Sequence, residues 1–200
     1  MDNATVLCVE HLCTSFFTQN GEIKAVNDVS ISVPRGRIVG IVGESGCGKS
    51  MTARSIMRLL HYPGRIVSGS IKLAGTELLE LSEHEMSAVR GEEIGMIFQE
   101  PMTSLNPVMR VGLQVRETLL LHRKISPQEA KAEVLRIFRK VGISEPARRY
   151  NCYPHELSGG LRQRVMIAMA MICRPKLVIA DEPTTALDVT VEAQILQLMR

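Results

Sequence analysis

The 200-residue chain has no tryptophan, and aromatic residues make up only 4% of it. That leaves little material for an aromatic-rich binding surface. A strong charge of one sign is missing too: the formal net charge is +3 and the pI near 8.7, without the clustered basic stretches of a nucleic-acid binder. No apolar run reaches the roughly 18 residues that a membrane-crossing helix needs. Met1–Thr5 is not basic and leads into no long apolar segment, so it does not read as a secretory leader. The five cysteines (Cys8, Cys13, Cys47, Cys152 and Cys173) are odd in number and form no C-x-x-C pair. They read as reduced thiols, neither a disulfide frame nor a zinc site. With 15 Gly and 9 Pro, collagen-like and low-complexity classes are excluded.

What remains is 45% hydrophobic and 22% charged, enough for a sizeable core and too apolar for a disordered chain. The length fits one domain, or one domain with a modest insertion. Val6–Val9, Ile23–Val29 and Ile31–Val33 predict a small β layer at the start. Arg37–Val42 is short, apolar and β-branched, the pattern of a parallel strand buried on both faces. Ser50–Leu60 reads as helix, Ser68–Leu73 as an outer strand, and Ile94–Phe98 and Leu177–Ala180 as further buried strands. Between them, Ser126-Pro127-Gln128-Glu129 is a capping box with Pro at the first helical position. Ala130, Val134, Ile137 and Val141 follow at helical spacing, and Gly142 supplies the stop. Another helix is expected from Gly160 to about Ile172, and a last one over Val191–Met199. The expected class is α/β with a helical insertion between about Glu100 and Glu156.

Two motifs carry chemistry. Gly43-Glu44-Ser45-Gly46-Cys47-Gly48-Lys49-Ser50 matches G-x-x-x-x-G-K-[ST] and lies between an expected strand and an expected helix, the context that makes the motif specific. Glycines let backbone N–H groups converge on phosphate oxygens. Lys49 brings a positive charge to the β- and γ-phosphates, and the Ser50 hydroxyl can ligate Mg²⁺. The strand Leu177–Ala180 ends in Asp181 and Glu182. Asp181 can hold Mg²⁺, and Glu182 can orient or deprotonate an attacking water.

Leu157-Ser158-Gly159-Gly160-Leu161-Arg162-Gln163-Arg164 resembles the LSGGQ signature of the ATP-binding cassette (ABC) ATPases, with Leu161 where that family usually has Gln. Phe98-Gln99-Glu100-Pro101 resembles its Q-loop and Ala186-Leu187-Asp188 its D-loop. The resemblance covers nearly the whole chain. It implies a P-loop NTPase (RecA-like) core with an N-terminal antiparallel β layer and an inserted helical subdomain. Residues 1–98 and 163–200 would form the β layer and core, and 99–162 the helical signature part. ATP and Mg²⁺ are the implied cofactors. Nucleotide contacts would come from Gly43 to Met51, with Cys47 and Met51 within that run, from Ser158, Gly159, Gly160 and Asp188, and from an aromatic that stacks on adenine, Phe16 or the adjacent Phe17. Gln99 and Glu182 would be catalytic, and Ser50, Gln99 and Asp181 would hold the metal.

Gln99 to Pro107 and Tyr153-Pro154-His155-Glu156 before the signature are similar to the peptide-uptake branch, which includes dipeptide, oligopeptide, glutathione and nickel importers. The implied partners are a second ATPase subunit, membrane permeases and, indirectly, a solute-binding protein, with no nucleic acid. The implied location is the cytoplasmic face of the inner membrane. The apolar stretch Pro101, Met102, Leu105, Pro107, Val108 and Met109 is expected as an adaptable permease dock. The family's switch His has no counterpart before Arg200, so a C-terminally truncated chain is expected, and a catalytically inert ATP-binding or interaction fragment is the alternative reading. Met166, Met169 and Met171 read as core packing; Arg148–Arg149 and Arg162–Arg164 read as solvated helix faces.

Overall fold

A computed structural model describes residues 5–100 and 104–182. The chain divides into two compact units, residues 1–87 and 88–200.

In the first unit a four-stranded antiparallel sheet has the order β2-β1-β3-β4. Strands β1 (Thr5–Thr18) and β2 (Gly21–Pro34) form a hairpin closed by Thr18 opposite Gly21. β3 (Gly64–Leu73) pairs with the other edge of β1, and the short β4 (Thr76–Glu77) follows it. Leu7, Val9, Leu12, Ile71 and Leu73 are buried, giving the sheet one apolar face. Helix α1 (Lys49–Ile56) is fastened to that sheet by a buried hydrogen bond between the hydroxyls of Thr14 and Ser55, 2.8 Å long. The β layer is thus present, and longer than the sequence pattern predicts.

The run Arg37–Val42 departs from expectation. It forms no strand, and Ile38, Val39, Ile41 and Val42 are exposed, Val42 to 94%. A parallel strand is stable only with ladder partners on its flanks, and among the described residues this run pairs with none. The apolar, β-branched pattern is right for a buried strand, but among the described residues no strand pairs with it.

The second unit holds the parallel pair β5 (Ile94–Ile97) and β6 (Leu177–Ala180), in register from Ile94 opposite Leu177 to Ile97 opposite Ala180. Helix α6 (Gly159–Met171) packs on β5; α3 (Val111–His122), α4 (Pro127–Lys140) and α6 pack on one another, and the single-turn α5 (Pro146–Arg149) lies against α4. A further helix, α2 (Glu83–Glu92), kinks at Arg90 and Gly91 and spans the division between the units. The core joins Ile97, Leu119, Val134, Phe138, Val165, Met166 and Ile167, so α3, α4 and α6 bury one shared apolar interior. Helix α4 starts at the expected capping box: the Ser126 hydroxyl accepts from Glu129 N–H, and the Glu129 carboxylate accepts from Ser126 N–H at 2.9 Å. It ends where expected, with Gly142 at φ +74°.

A candidate nucleotide site

The phosphate loop lies wholly in the first unit. It is exposed from Gly43 to Cys47, and the chain enters α1 at Lys49. Gly48 is the N-cap, in the left-handed region at φ +96°. A Cβ there would also collide with the carbonyl oxygen of Ala25 in β2, so only glycine fits on both counts. This backbone contact seats the loop against the sheet. Cys47 Sγ lies 2.6 Å from where a Cβ on Gly43 would stand, so Gly43 leaves room for the thiol. Lys49 Nζ donates to the carbonyls of Gly43 and Glu44, 2.8 Å each, and lies 3.9 Å from Cys47 Sγ. The loop, its lysine and the first turn of the helix, Ser50 and Met51, thus form one cradle, braced by Thr52 Oγ1 donating to the Gly48 carbonyl at 3.0 Å.

Phe16 and Phe17 point to opposite faces of β1. Thr14 faces α1 through Ser55, and residues two apart on a strand share a face, so Phe16 lies on the α1 side. Its ring packs against Gly64. Phe17 is exposed on the other face, beneath the Arg65 guanidinium at 4.0 Å.

In the second unit the strand ends gather the carboxylates. Asp181 N–H donates to the Ile97 carbonyl at 2.9 Å, carrying the β5–β6 ladder one residue further. Gln99 and Glu182 each stand two residues beyond the paired ends Ile97 and Ala180. Gln99 Nε2 donates to Glu182 Oε2 at 2.8 Å. Glu182 adopts a left-handed backbone, φ +46°, an uncommon conformation for a non-glycine residue.

Helix α6 begins at the signature. Ser158 is its N-cap, accepting from Leu161 N–H at 3.4 Å, and the Cβ direction of Gly159 is open. Leu161 packs against the apolar core. An apolar residue therefore suits this position in place of Gln. The basic residues that follow are not a solvated face, contrary to the sequence reading. Gln163 is 1% exposed. Arg164 Nη1 donates to the Val141 carbonyl and occupies the hollow of Gly142, closing the C-terminus of α4. Arg162 Nη1 reaches the Pro154 carbonyl at 3.4 Å. Along α6 the stems and planar heads of these arginines serve packing and capping. Met166 is buried in the core as expected.

The expected adaptable surface is also corrected in part. Leu105 is buried, while Val108 is exposed. Gln114, which no sequence motif marks, pins the segment: its Oε1 accepts from Asn106 N–H, and its Nε2 donates to the carbonyls of Asn106 and Met109, at 2.9, 2.9 and 2.7 Å. Asp188, the rest of the D-loop, Pro101, Met102 and the last expected helix lie outside the described residues.

The profile described as "ABC transporter" matches residues 26–185. The chain is 56% identical over 194 residues to the oligopeptide transport ATP-binding protein OppD of Escherichia coli (strain K12), covering 97% of this chain and 57% of that protein. It is 52% identical to the dipeptide transport ATP-binding protein DppD of Bacillus subtilis (strain 168), over 98% of this chain and 58% of that one. The chain thus spans a little over half the length of these relatives. The fold is shared with the ATP-binding cassette MJ0796, whose structure is described as dimeric, in a post-hydrolysis state bound to ADP and Pi. There the TM-score is 0.87 with 28% identity, covering 96% of this chain and 81% of that one.

Proposed function

The chain belongs to the ABC transporter family, and from that membership we propose that it is the ATP-binding and ATP-hydrolysing subunit of an importer for di- or oligopeptides, or for a related solute such as a nickel chelate or glutathione. The observation that carries this reading is the cradle at Gly43–Ser50, seated by Gly48 on Ala25 at the N-terminus of α1. It folds a glycine-rich backbone around the Lys49 ammonium at the start of a helix, an arrangement suited to the phosphates of a nucleotide. The names of the peptide-transport relatives support the solute class.

In this reading Gly43, Glu44, Ser45, Gly46, Cys47, Gly48, Lys49, Ser50 and Met51 surround the phosphates. Phe16 rather than Phe17 offers its ring to adenine, since it lies on the face that carries α1. Ser50, Gln99 and Asp181 would hold Mg²⁺; hydroxyl, amide and carboxylate oxygens fit a hard cation that prefers oxygen ligands. When bound, that ion neutralises charge on the β- and γ-phosphates. Glu182 accepts the proton of the attacking water. Ser158, Gly159 and Gly160 present a helix N-terminus to the γ-phosphate in a second ATPase subunit, with Asp188 at that boundary. The dimeric description of the related cassette supports such pairing. Residues 1–98 with 163–200 would act as the β layer and core, and 99–162 as the helical signature part. Permease subunits at the cytoplasmic face of the inner membrane would be the partners. No described helix is long and apolar enough to cross a membrane itself.

Nucleotide binding and turnover measured separately test the proposal. Saturable Mg²⁺-ATP binding that Lys49→Ala weakens is expected. A chain that binds no nucleotide overturns the reading, and tight binding without turnover, even with permeases present, favours an inert ATP-binding module.

A further inference from the structure

Strand β1 changes phase partway along its length. Leu7 and Val9 are buried, and the alternation they begin would continue through His11, Cys13, Ser15 and Phe17. The apolar face is continued instead by Leu12 and by Thr14, which meets α1 through Ser55. β2 shifts with it, from half-buried Val33, Ile31 and Val29 to buried Val26. The pairing gives the cause. Val9 lies opposite Ile31 and Leu12 opposite Val29, so β1 sets Glu10 and His11 against the single Ser30. One pair later β2 sets Asn27 and Asp28 against the single Cys13. On the other flank His11 and Leu12 stand against the single Gly69 of β3. His11, Asp28 and Gly69 all have left-handed backbones, φ +49°, +54° and +111°.

A bulge deprives a backbone N–H of its ladder partner. Here the His11 N–H donates to Ser30 Oγ at 3.0 Å, and the Asp28 N–H to Cys13 Sγ at 3.3 Å. Each bulge is thus held by a side chain of the opposite strand, and His11 Nδ1 and Asp28 Oδ1, 2.7 Å apart, close the clasp. A one-residue shift turns every later side chain to the other face. We propose that this clasp fixes the phase of the far half of the hairpin, and so selects Phe16 over Phe17 as the aromatic on the α1 side. His11, Cys13, Asp28 and Ser30 are then positioning residues for the nucleotide base, although none of them lies in the phosphate loop. The role in base binding rests on the proposed nucleotide site; the clasp itself rests on register and hydrogen bonds.

The test is a double-mutant cycle on this chain, read by displacement of a fluorescent ATP analogue, with thermal melts locating the temperature at which each variant is folded. Cys13→Ala and Asp28→Ala should each weaken binding about fivefold, the low end of what one base–aromatic stack contributes. Cys13→Ser and Asp28→Asn keep the acceptor atoms and should bind as the parent does. In a Phe16→Ala background, Cys13→Ala should cost nothing further, whereas a merely structural role would add its full cost. Additive losses, or unchanged affinity in the clasp variants, overturn the proposal. Cys13→Ala, the milder change, carries the test if Asp28→Ala does not fold. The contact of the Phe16 ring with Gly64 supplies a reading without ligand. Its nuclear Overhauser effects should weaken in Cys13→Ala, and their persistence unchanged overturns the clasp. A parent chain that binds no nucleotide removes the proposed function, and the Phe16–Gly64 reading still decides the clasp.

Discussion

Lys49 reaches back along its own loop to the carbonyl of Gly43, 2.8 Å away, and closes the phosphate loop on itself. The ammonium satisfies two consecutive loop carbonyls, those of Gly43 and Glu44. A phosphate entering the loop would find the positive charge already in place. Lys49→Ala should therefore lower ATP affinity by at least about tenfold, since charged hydrogen bonds contribute about 1.5–3 kcal/mol each. Equilibrium titration with a fluorescent nucleotide checks this; unchanged affinity would remove Lys49 from the site.

Gly48→Ala should be harsher than a simple loop change. It places a side chain in the left-handed region and against the Ala25 carbonyl. The backbone conformation alone costs about 1–2 kcal/mol, and the collision adds to it by pushing the loop off β2. Chemical denaturation should show the loss of stability, and nucleotide titration the loss of binding.

Glu182→Gln keeps the loop and the proposed metal ligands but loses the proton acceptor. Turnover should fall by about 10²–10⁴-fold, the usual contribution of a general base, while ATP binding is retained and the two-subunit state accumulates. A phosphate-release assay beside size-exclusion chromatography in ATP measures both. Turnover at the parent rate would move the base elsewhere.

The cysteines should separate cleanly. Cys47 is exposed in the loop beside Lys49. Cys173 is buried, and burial, with Glu92 beside it, pushes its thiol up to about 11. Since the thiolate is the nucleophile, a small maleimide should label Cys47 early, Mg²⁺-ATP should protect it, and Cys173 should react only after unfolding. Mass mapping of labelled peptides reads the order.

Acid should weaken the helical insertion through α4. The Ser126 N–H, then the Ser126 hydroxyl, hold the Glu129 carboxyl below its ordinary value of 4.5. Arg136 does the same for Glu133. A carboxylate depressed in the folded state stabilises above its unfolded value, and that stabilisation is lost as pH falls through the folded one. Ser126→Ala should therefore lower the melting temperature near neutrality and differ less from the parent as pH drops below about 4.5. A difference independent of pH would disconnect the capping box from the titration.

Most of the candidate site's local structure could be read in the chain because its signals are local. The glycine and lysine spacing, the apolar strand ending in Asp181 and Glu182, and the Ser158 cap are set within a few residues of sequence. The α4 capping box and its Gly142 stop are local in the same way, and the structure places both as expected. What could not be read depends on distant partners. Arg37–Val42 carries a strand's pattern, but a strand also needs neighbours, and pairing is not written in hydrophobicity. Gln114, Gln163 and Arg164 look like surface residues in sequence; carbonyls presented by other turns of the fold draw Gln114 and Arg164 inward. The departure Leu161 becomes intelligible once its side chain is seen turned to the core.

Arg164 couples two helices in a way that bears on movement. Its guanidinium, carried by the signature helix, plugs the open end of α4 at Val141 in a hollow that exists because residue 142 has no side chain. Rotating α6 about its own axis would pull that plug and expose the carbonyl it satisfies. One side chain thus ties the signature helix to the end of α4, and the tie is open to a guanidinium only because Gly142 leaves the hollow empty.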